Sequence, residues 1–477
     1  MENIEEFRKY AHEIVDWIAE YYENIESYPV KSKVQPGEIF SLLPEEPPAQ
    51  GESMQDILSD FDRIILPGIT HWQSPGFHAY FPANTSFPSV LGEMLTSALA
   101  AQCMKWDTSP AATELEEKVM TWLKGMLGLP AFFQGVIQDT ASTSTLTAIL
   151  SAREKFSDFR INREGIKKEE NFRVYCSTQA HSSVEKAVKI AGIGSDNLVK
   201  IDTDDAFRMD MGKLREAILN DIGTGKKSLC VVIALGTTSS TAIDSLSEAA
   251  AICSEFNVWL HVDAAYAGSA LILPEYRWMI EGIEGADSFV FNPHKWLFTN
   301  FDCSAYFVKN KTTLVNTFQL VPEYLKSQSQ GKVNDYSDWG IQLGRRFRAL
   351  KLWFVLRSFG VEGLQEKLRY HLKLADRFVE LLKTDNHFEI LTPVTMNVIC
   401  FRYLPEKVTG EQEINKFNEE LLHRINSGGK IYLTHTKLND KYAIRMVIAQ
   451  TNVQERHVNI AWNIIRSTAG EQAGKTV

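Results

Sequence analysis

An aspartate and a lysine carry the first chemical signal in the chain. Asp263 closes the run Val258-Trp259-Leu260-His261-Val262-Asp263, and Lys295 follows Ser288-Phe289-Val290-Phe291 in the segment Asn292-Pro293-His294-Lys295-Trp296. Apolar runs this short, bounded by turn residues, read as buried strands of a parallel sheet. Ligands of open α/β sheets sit outside the carboxyl ends of the strands, so two strands deliver an acid and an amine to one crevice. A lysine that can bond to an aldehyde and a carboxylate that can pair with a pyridinium nitrogen are what a pyridoxal 5'-phosphate (PLP) enzyme requires. The stretch Asp139-Thr140-Ala141-Ser142-Thr143-Ser144-Thr145 enters a helix predicted over Leu146–Lys155. Small hydroxyl residues at a helix start offer N–H groups and hydroxyls facing one point, which suits a phosphate. Helix capping alone would explain one such residue, not five. His181 stands after the predicted strand Phe172–Cys176, just before a helix for which Ser182 and Glu185 have the spacing of a capping box.

The elements that must position these groups alternate between strand and helix from Gly135 to Phe291. Further strands are predicted over Leu198–Ile201 and Leu229–Leu235, with helices over Gly212–Asn220 and Ser247–Phe256. Such alternation points to an α/β fold with a mostly parallel sheet covered on both faces. Ser304–Val308 is expected as an antiparallel strand at the sheet's margin. Gln319–Gly340 is polar and breaks all periodicity, as lids do. A helix resumes over Arg345–Ser358. Beyond about Gly360 come helix Leu364–Thr384, strands Phe388–Leu391 and Val398–Tyr403, helix Glu411–Ser427, strands Tyr432–Thr434 and Ala443–Ile448, and helix Asn452–Thr468, an α+β pattern. At the other end an amphipathic helix, Ile4–Ile25, precedes the proline-marked segment Tyr28–Pro48. That segment has no core of its own and must lie on its own domain or on a second subunit. Thr70–Pro75 and Phe77–Asn84 are aromatic and non-periodic, fitting either a pocket wall or core. The expected domains are residues 1–80, 81–362 and 363–477.

Of the 477 residues, 44% are hydrophobic and 23% charged, with a formal net charge of −10. That balance argues against nucleic acid or an anionic membrane as partner. The six cysteines (103, 176, 230, 253, 303 and 400) show no C-x-x-C spacing, so buried free thiols in a reducing compartment and no metal site are expected. The acidic start lacks the features of a signal peptide, and no apolar run approaches the roughly 18 residues of a membrane span. A cytoplasmic protein is expected. No G-x-G-x-x-G follows an early strand, which disfavours a nicotinamide dehydrogenase.

Several longer motifs extend these observations. They are Pro67-Gly68-Ile69-Thr70-His71-Trp72, Ser109-Pro110-Ala111-Ala112-Thr113-Glu114-Leu115-Glu116, Ala180-His181-Ser182-Ser183, His261-Val262-Asp263-Ala264-Ala265-Tyr266-Ala267-Gly268, Asn292-Pro293-His294-Lys295-Trp296 and Leu343-Gly344-Arg345-Arg346-Phe347-Arg348. In this order, and nearly end to end, the chain resembles the PLP-dependent aromatic L-amino-acid decarboxylases, the group of the DOPA, tryptophan, tyrosine and histidine enzymes. The resemblance implies a type I PLP fold: a mostly parallel central sheet with helices on both faces, a smaller C-terminal α+β domain and an N-terminal helical segment. It implies a homodimer in which that segment packs across the partner. Lys295 would hold PLP covalently and Asp263 would pair with its ring nitrogen. Ala141, Ser142, Asn292 and His294 would hold the phosphate, Thr238 would line the cofactor, and His181 would stack on its ring. Tyr324, on a mobile loop, would reprotonate Cα.

The resemblance also implies a substrate wall of Trp72, Tyr80, Phe81, Pro82 and Gly344, with Trp106 and its neighbours added from the other subunit. The expected reaction takes tryptophan, 5-hydroxytryptophan, DOPA, phenylalanine or tyrosine to the amine and carbon dioxide. Relatives that are aromatic acetaldehyde synthases replace the tyrosine by phenylalanine or the stacking histidine by asparagine; here Tyr324 and His181 both stand. A histidine decarboxylase-like activity is a further alternative, although members preferring histidine or tyrosine often carry serine where this chain has Gly344. Ala83 departs from the animal DOPA enzymes, which have threonine there. A decarboxylase of acidic amino acids would need a cationic pocket, which Tyr80-Phe81-Pro82 does not offer.

Overall fold

The apolar runs build a seven-stranded sheet in the computed structural model, which describes residues 3–167, 169–320 and 332–475. Its strands are β1 (Gln134–Gln138), β2 (Phe172–Ser177), β3 (Leu198–Ile201), β4 (Lys227–Ala234), β5 (Trp259–Asp263), β6 (Ser288–Phe291) and β7 (Ser304–Val308), in the order β1-β7-β6-β5-β4-β2-β3. The row β3-β2-β4-β5-β6 is parallel throughout. β7 is antiparallel both to β6 and to β1. It therefore lies inside the sheet and not at its margin as expected: all five of its residues are buried, so both flanks need a paired neighbour. A second consequence matters for function. Two reversals leave β1 running with β6, so its carboxyl end shares an edge with those of the parallel strands.

The helix Ala141–Phe156 packs on this sheet, with Ala148, Ile149 and Ala152 buried against Val174, Val232 and Val290. Its serines and threonines are indifferent helix formers. Burial of about 1.5–3 kcal/mol for each large apolar side chain outweighs that weakness. Among its buried hydroxyls, Ser144 Oγ donates to Gln138 Oε1 at 2.8 Å. The helix begins several residues earlier than predicted, so the hydroxyl run forms its first turns. The stretch read as a polar loop also contains core: Tyr336 and Trp339 are both buried, with ring centroids 5.3 Å apart.

By compactness, Ala83–Leu372 and Thr392–Val398 form one unit, and the described residues of Met1–Pro82, Lys373–Leu391 and Ile399–Val477 form another. The second unit opens on the helix Ile4–Glu23, capped by the Asn3 side chain accepting from the Glu6 N–H at 2.8 Å. A four-stranded sheet of β8 (Phe388–Ile390), β9 (Val398–Tyr403), β10 (Thr434–Leu438) and β11 (Lys441–Val447) follows, in the order β10-β11-β9-β8. The strand predicted over Tyr432–Thr434 is displaced. Asn439 and Asp440 both take positive φ, of 48° and 63°, the two-residue turn whose twist suits a hairpin. That turn sets Leu438 opposite Lys441 and leaves Tyr432 as an isolated bridge to Phe77. Helix Arg348–Lys383 has a non-helical Gly360 (φ 63°), which separates the two helices expected there. All six cysteines are buried free thiols, and among the described residues no helix is long and apolar enough to cross a membrane.

Candidate active site

Strand direction decides which side chains can meet. β1 ends at Gln138 just before Ala141 and Ser142; β2 leads to His181; β4 leads to Thr238; β5 ends at Asp263; β6 leads to Asn292, His294 and Lys295. These ends share one edge of the seven-stranded sheet, and all eight residues belong to one unit. Asp263 pairs in register with Val290 of β6, and Lys295 lies on the short helix Pro293–Trp296 directly after that strand.

Both chemical groups are braced from behind. Asp263 Oδ1 accepts the Ala265 N–H at 3.0 Å, which orients the carboxylate. Tyr266 stacks on Trp296 with centroids 5.2 Å apart and planes 12° from parallel. The Tyr266 hydroxyl donates to Asn397 Oδ1 at 2.9 Å, and Trp296 Nε1 donates to His371 Nδ1 at 3.0 Å. The segments bearing Asp263 and Lys295 are thus locked by one buried aromatic pair. Gly236 (φ 88°) begins the turn that carries Thr238; a Cβ there would lie 2.7 Å from Ala267 Cβ, so the backbone approaches too closely for a side chain.

His181 feels both partners. Desolvation holds its pKa below the ordinary imidazole value; the Asp263 carboxylate opposes that shift, while the Lys295 ammonium adds to it. Its Nδ1 accepts from the Ser183 N–H at 3.1 Å and contacts Ser183 Oγ at 2.9 Å. The proton of the neutral ring therefore sits on Nε2. The expected capping box does not form: Ser182 has helical φ/ψ and makes no side-chain cap, and Glu185 is drawn to Lys189 and Lys200 at 2.8 and 3.2 Å. Ser183, which sequence reasoning passed over, orients the histidine instead. Tyr324 lies outside the described residues.

The donors near Lys295 fit a phosphate. The first bond of helix Ala141–Phe156 is from the Ser144 N–H to the Thr140 carbonyl at 3.2 Å, so the amides of Ala141, Ser142 and Thr143 precede the ladder and point outward. Asn292 Oδ1 accepts the Ser304 hydroxyl at 2.7 Å, which leaves its NH₂ as a donor. His294 Nδ1 accepts the Cys303 N–H at 2.9 Å, leaving Nε2 as the N–H donor. Burial, with the Lys295 charge, pushes the His294 pKa down to about 3. Amides, a carboxamide, a hydroxyl and a neutral imidazole make a donor set for an oxyanion. With an amine and a carboxylate on adjacent strand ends, the residues fit PLP.

The expected substrate wall divides. Trp72, Tyr80, Phe81 and Pro82 belong to one unit and Gly344 to the other. Trp72 and Tyr80 are stacked at 5.8 Å, with Phe77 4.4 Å from Trp72. Pro82 is buried, and half of Tyr80 (50%) is exposed. A Cβ at Gly344 would lie 3.3 Å from the Gln102 amide, and Gln102 Oε1 accepts the Arg345 N–H at 2.6 Å. Gln102 is thus a second missed residue, carrying no sequence signal of its own. Trp106 is fixed by its backbone N–H to Asp335 Oδ1 at 3.1 Å.

His78 and His261 are, like His294, buried histidines with strongly depressed pKa values. His261 is pushed to about 4 by burial, and so is His78, whose Nδ1 donates to the Val447 carbonyl at 3.0 Å. Each folded pKa lies below the ordinary 6.5, so between those values the unfolded chain binds protons that the folded chain refuses. Stability therefore rises with pH through this window and is lost as pH falls from about 6.5 toward 4. Urea midpoints recorded across that range should decline steeply; a flat profile would contradict the neutral assignment.

A family model described as "Pyridoxal-dependent decarboxylase conserved domain" matches residues 36–404. The chain is 44% identical to the aromatic-L-amino-acid decarboxylase of Rattus norvegicus over 480 residues, covering 97% of each chain. It is also 44% identical to the phenylacetaldehyde synthase of Arabidopsis thaliana over 475 residues, 98% of this chain and 96% of that one. A solved structure of Oryza sativa TDC with PLP and tryptamine aligns with a TM-score of 0.96 at 35% identity, covering 98% of this chain and 99% of that one.

Proposed function

The chain belongs to the pyridoxal-dependent decarboxylase family, as a PLP-dependent carboxy-lyase of the aromatic amino acid group, and on that premise we propose that it converts an aromatic L-amino acid to the amine and carbon dioxide. The observation that carries this reading is the single sheet edge shared by Asp263, Lys295, His181 and the oxyanion donors. PLP, when bound, supplies the sink for the electron pair left at Cα as carbon dioxide departs. Lys295 would hold the cofactor through Nζ. Asp263 would hold a proton at the ring nitrogen by its opposite charge. His181 would contribute its neutral imidazole beside them. Ala141, Ser142, Asn292 and His294 bind the phosphate, and Thr238 lines the cofactor. Tyr324 would move a proton to Cα.

Trp72, Tyr80, Phe81, Pro82 and Gly344 bind the substrate's ring. The candidates are tryptophan, 5-hydroxytryptophan, DOPA, phenylalanine and tyrosine. In this proposal the working form is a cytoplasmic homodimer. Its N-terminal segment, residues 1–80, packs across the partner, residues 81–362 carry PLP, and residues 363–477 form the small domain. A second reading, aromatic acetaldehyde synthase, has one observation in its favour: the Arabidopsis synthase and the rat decarboxylase are equally similar to this chain. Tyr324 and His181 weigh against it.

Substrate class is tested by incubating the holoenzyme with each candidate and with histidine and glutamate, and quantifying each amine. Release from aromatic substrates at rates at least about tenfold above the other two is expected. Faster turnover of histidine or glutamate would overturn the assignment.

A further inference from the structure

The most unusual backbone on the expected substrate wall belongs to Tyr80. Its φ is 51°, left-handed territory that is costly for a residue with a Cβ. Three contacts hold it there, all within one unit. Arg445 donates to the Tyr80 carbonyl at 2.5 Å, the Tyr80 N–H donates to Thr434 Oγ1 at 3.3 Å, and the Tyr80 hydroxyl meets that of Tyr432 at 3.2 Å. Strain that surrounding structure over-determines marks a side chain whose placement matters.

Tyr432 is itself fixed from two sides. Its backbone N–H donates to the Gly76 carbonyl at 3.0 Å, and its carbonyl accepts the His78 N–H at 2.9 Å. Its ring stands edge-on to Phe77 at 5.7 Å and to Tyr80 at 6.0 Å. Burial and the Tyr80 hydroxyl push the Tyr432 phenol well above its ordinary value, so it keeps its proton. One hydrogen bond between two phenols uses one of their two protons. The pair keeps one O–H donor and free lone pairs, and Tyr80, half exposed, presents them beside the Trp72–Tyr80 stack.

We propose that Tyr432, through its hydrogen bond to Tyr80, is a specificity-determining residue that favours aromatic amino acids bearing a ring hydroxyl over their unsubstituted counterparts. The inference rests on the reading of Trp72, Tyr80 and Phe81 as the substrate wall. A hydroxyl on the ring can accept the pair's free proton and donate to its lone pair, whereas phenylalanine and the unsubstituted indole ring offer no hydroxyl. A site built to bond a hydroxyl discriminates against the analogue that lacks it, because its own polar groups are then left unmatched.

The test measures kcat/KM of the holoenzyme for tyrosine against phenylalanine and for 5-hydroxytryptophan against tryptophan, in wild type and in Tyr432→Phe. The hydroxylated-to-unsubstituted ratio should fall about tenfold in the variant, the amount one hydrogen bond supports. Tyr80→Phe, which keeps the ring and removes the other hydroxyl, should lower the same ratio and serves if Tyr432→Phe does not fold. A merely structural role would depress all four substrates together. Equal losses on all four, or ratios within twofold of wild type, overturn the inference. If wild type decarboxylates none of the four, this inference falls; if it also fails on DOPA, the proposed function fails with it.

Discussion

Asp263→Ala holoenzyme should keep its cofactor and lose most of its turnover, a fall of about 10²–10³ in kcat, the scale for removing one preorganised electrostatic partner. The carboxylate ends β5 with Oδ1 anchored by the Ala265 N–H, so its position does not depend on the ligand. An opposite charge close to the ring nitrogen raises that nitrogen's pKa, and alanine removes that charge. Retention follows from the division of labour along the sheet edge. Lys295 and the neutral donors around Asn292 and His294 come from other elements that the substitution leaves in place. Cofactor absorbance of the purified variant and its steady-state rate check both halves. A rate within twofold of wild type would show that Asp263 has no part in stabilising the developing charge.

Tyr324→Phe should change the product rather than only the rate. With the phenol gone, Cα is no longer reprotonated promptly, and molecular oxygen becomes the competing reactant. Flux is then expected to pass to the aldehyde, with ammonia and hydrogen peroxide released and oxygen consumed. General acid catalysis by a positioned group contributes roughly 10²–10⁴-fold, enough for its loss to let a slow side reaction dominate. Peroxide should climb from background toward the amount of carbon dioxide released. Unchanged amine output in the variant would remove Tyr324 from the proton-delivery role.

The chemistry was legible in the sequence where it depended on local pattern. Asp263 and Lys295 follow short, mostly apolar runs, which read as buried strands; β3 occupies the same residues over which it is predicted. What could not be read were choices made by distant partners. β7 looked marginal because nothing in Ser304–Val308 announces that Gln134–Gln138 will pair along its other flank. Ser182 has good capping spacing, yet the Ser183 bonds to His181 and the two lysines around Glu185 decide otherwise. Tyr336 and Trp339 sit in a polar stretch but are buried, with the Arg345 guanidinium 4.8 Å over the Tyr336 ring. Gln102 beside Gly344 and Tyr432 beside Tyr80 are neighbours in space only, separated by hundreds of residues.

The central claim is that this chain removes carbon dioxide and leaves the amine intact. It is tested most directly by measuring carbon dioxide, amine and peroxide together from one aromatic substrate in air. Amine equal to carbon dioxide, with peroxide at background, is the predicted result. Peroxide and aldehyde equal to carbon dioxide, with little amine, would contradict it and identify an acetaldehyde synthase.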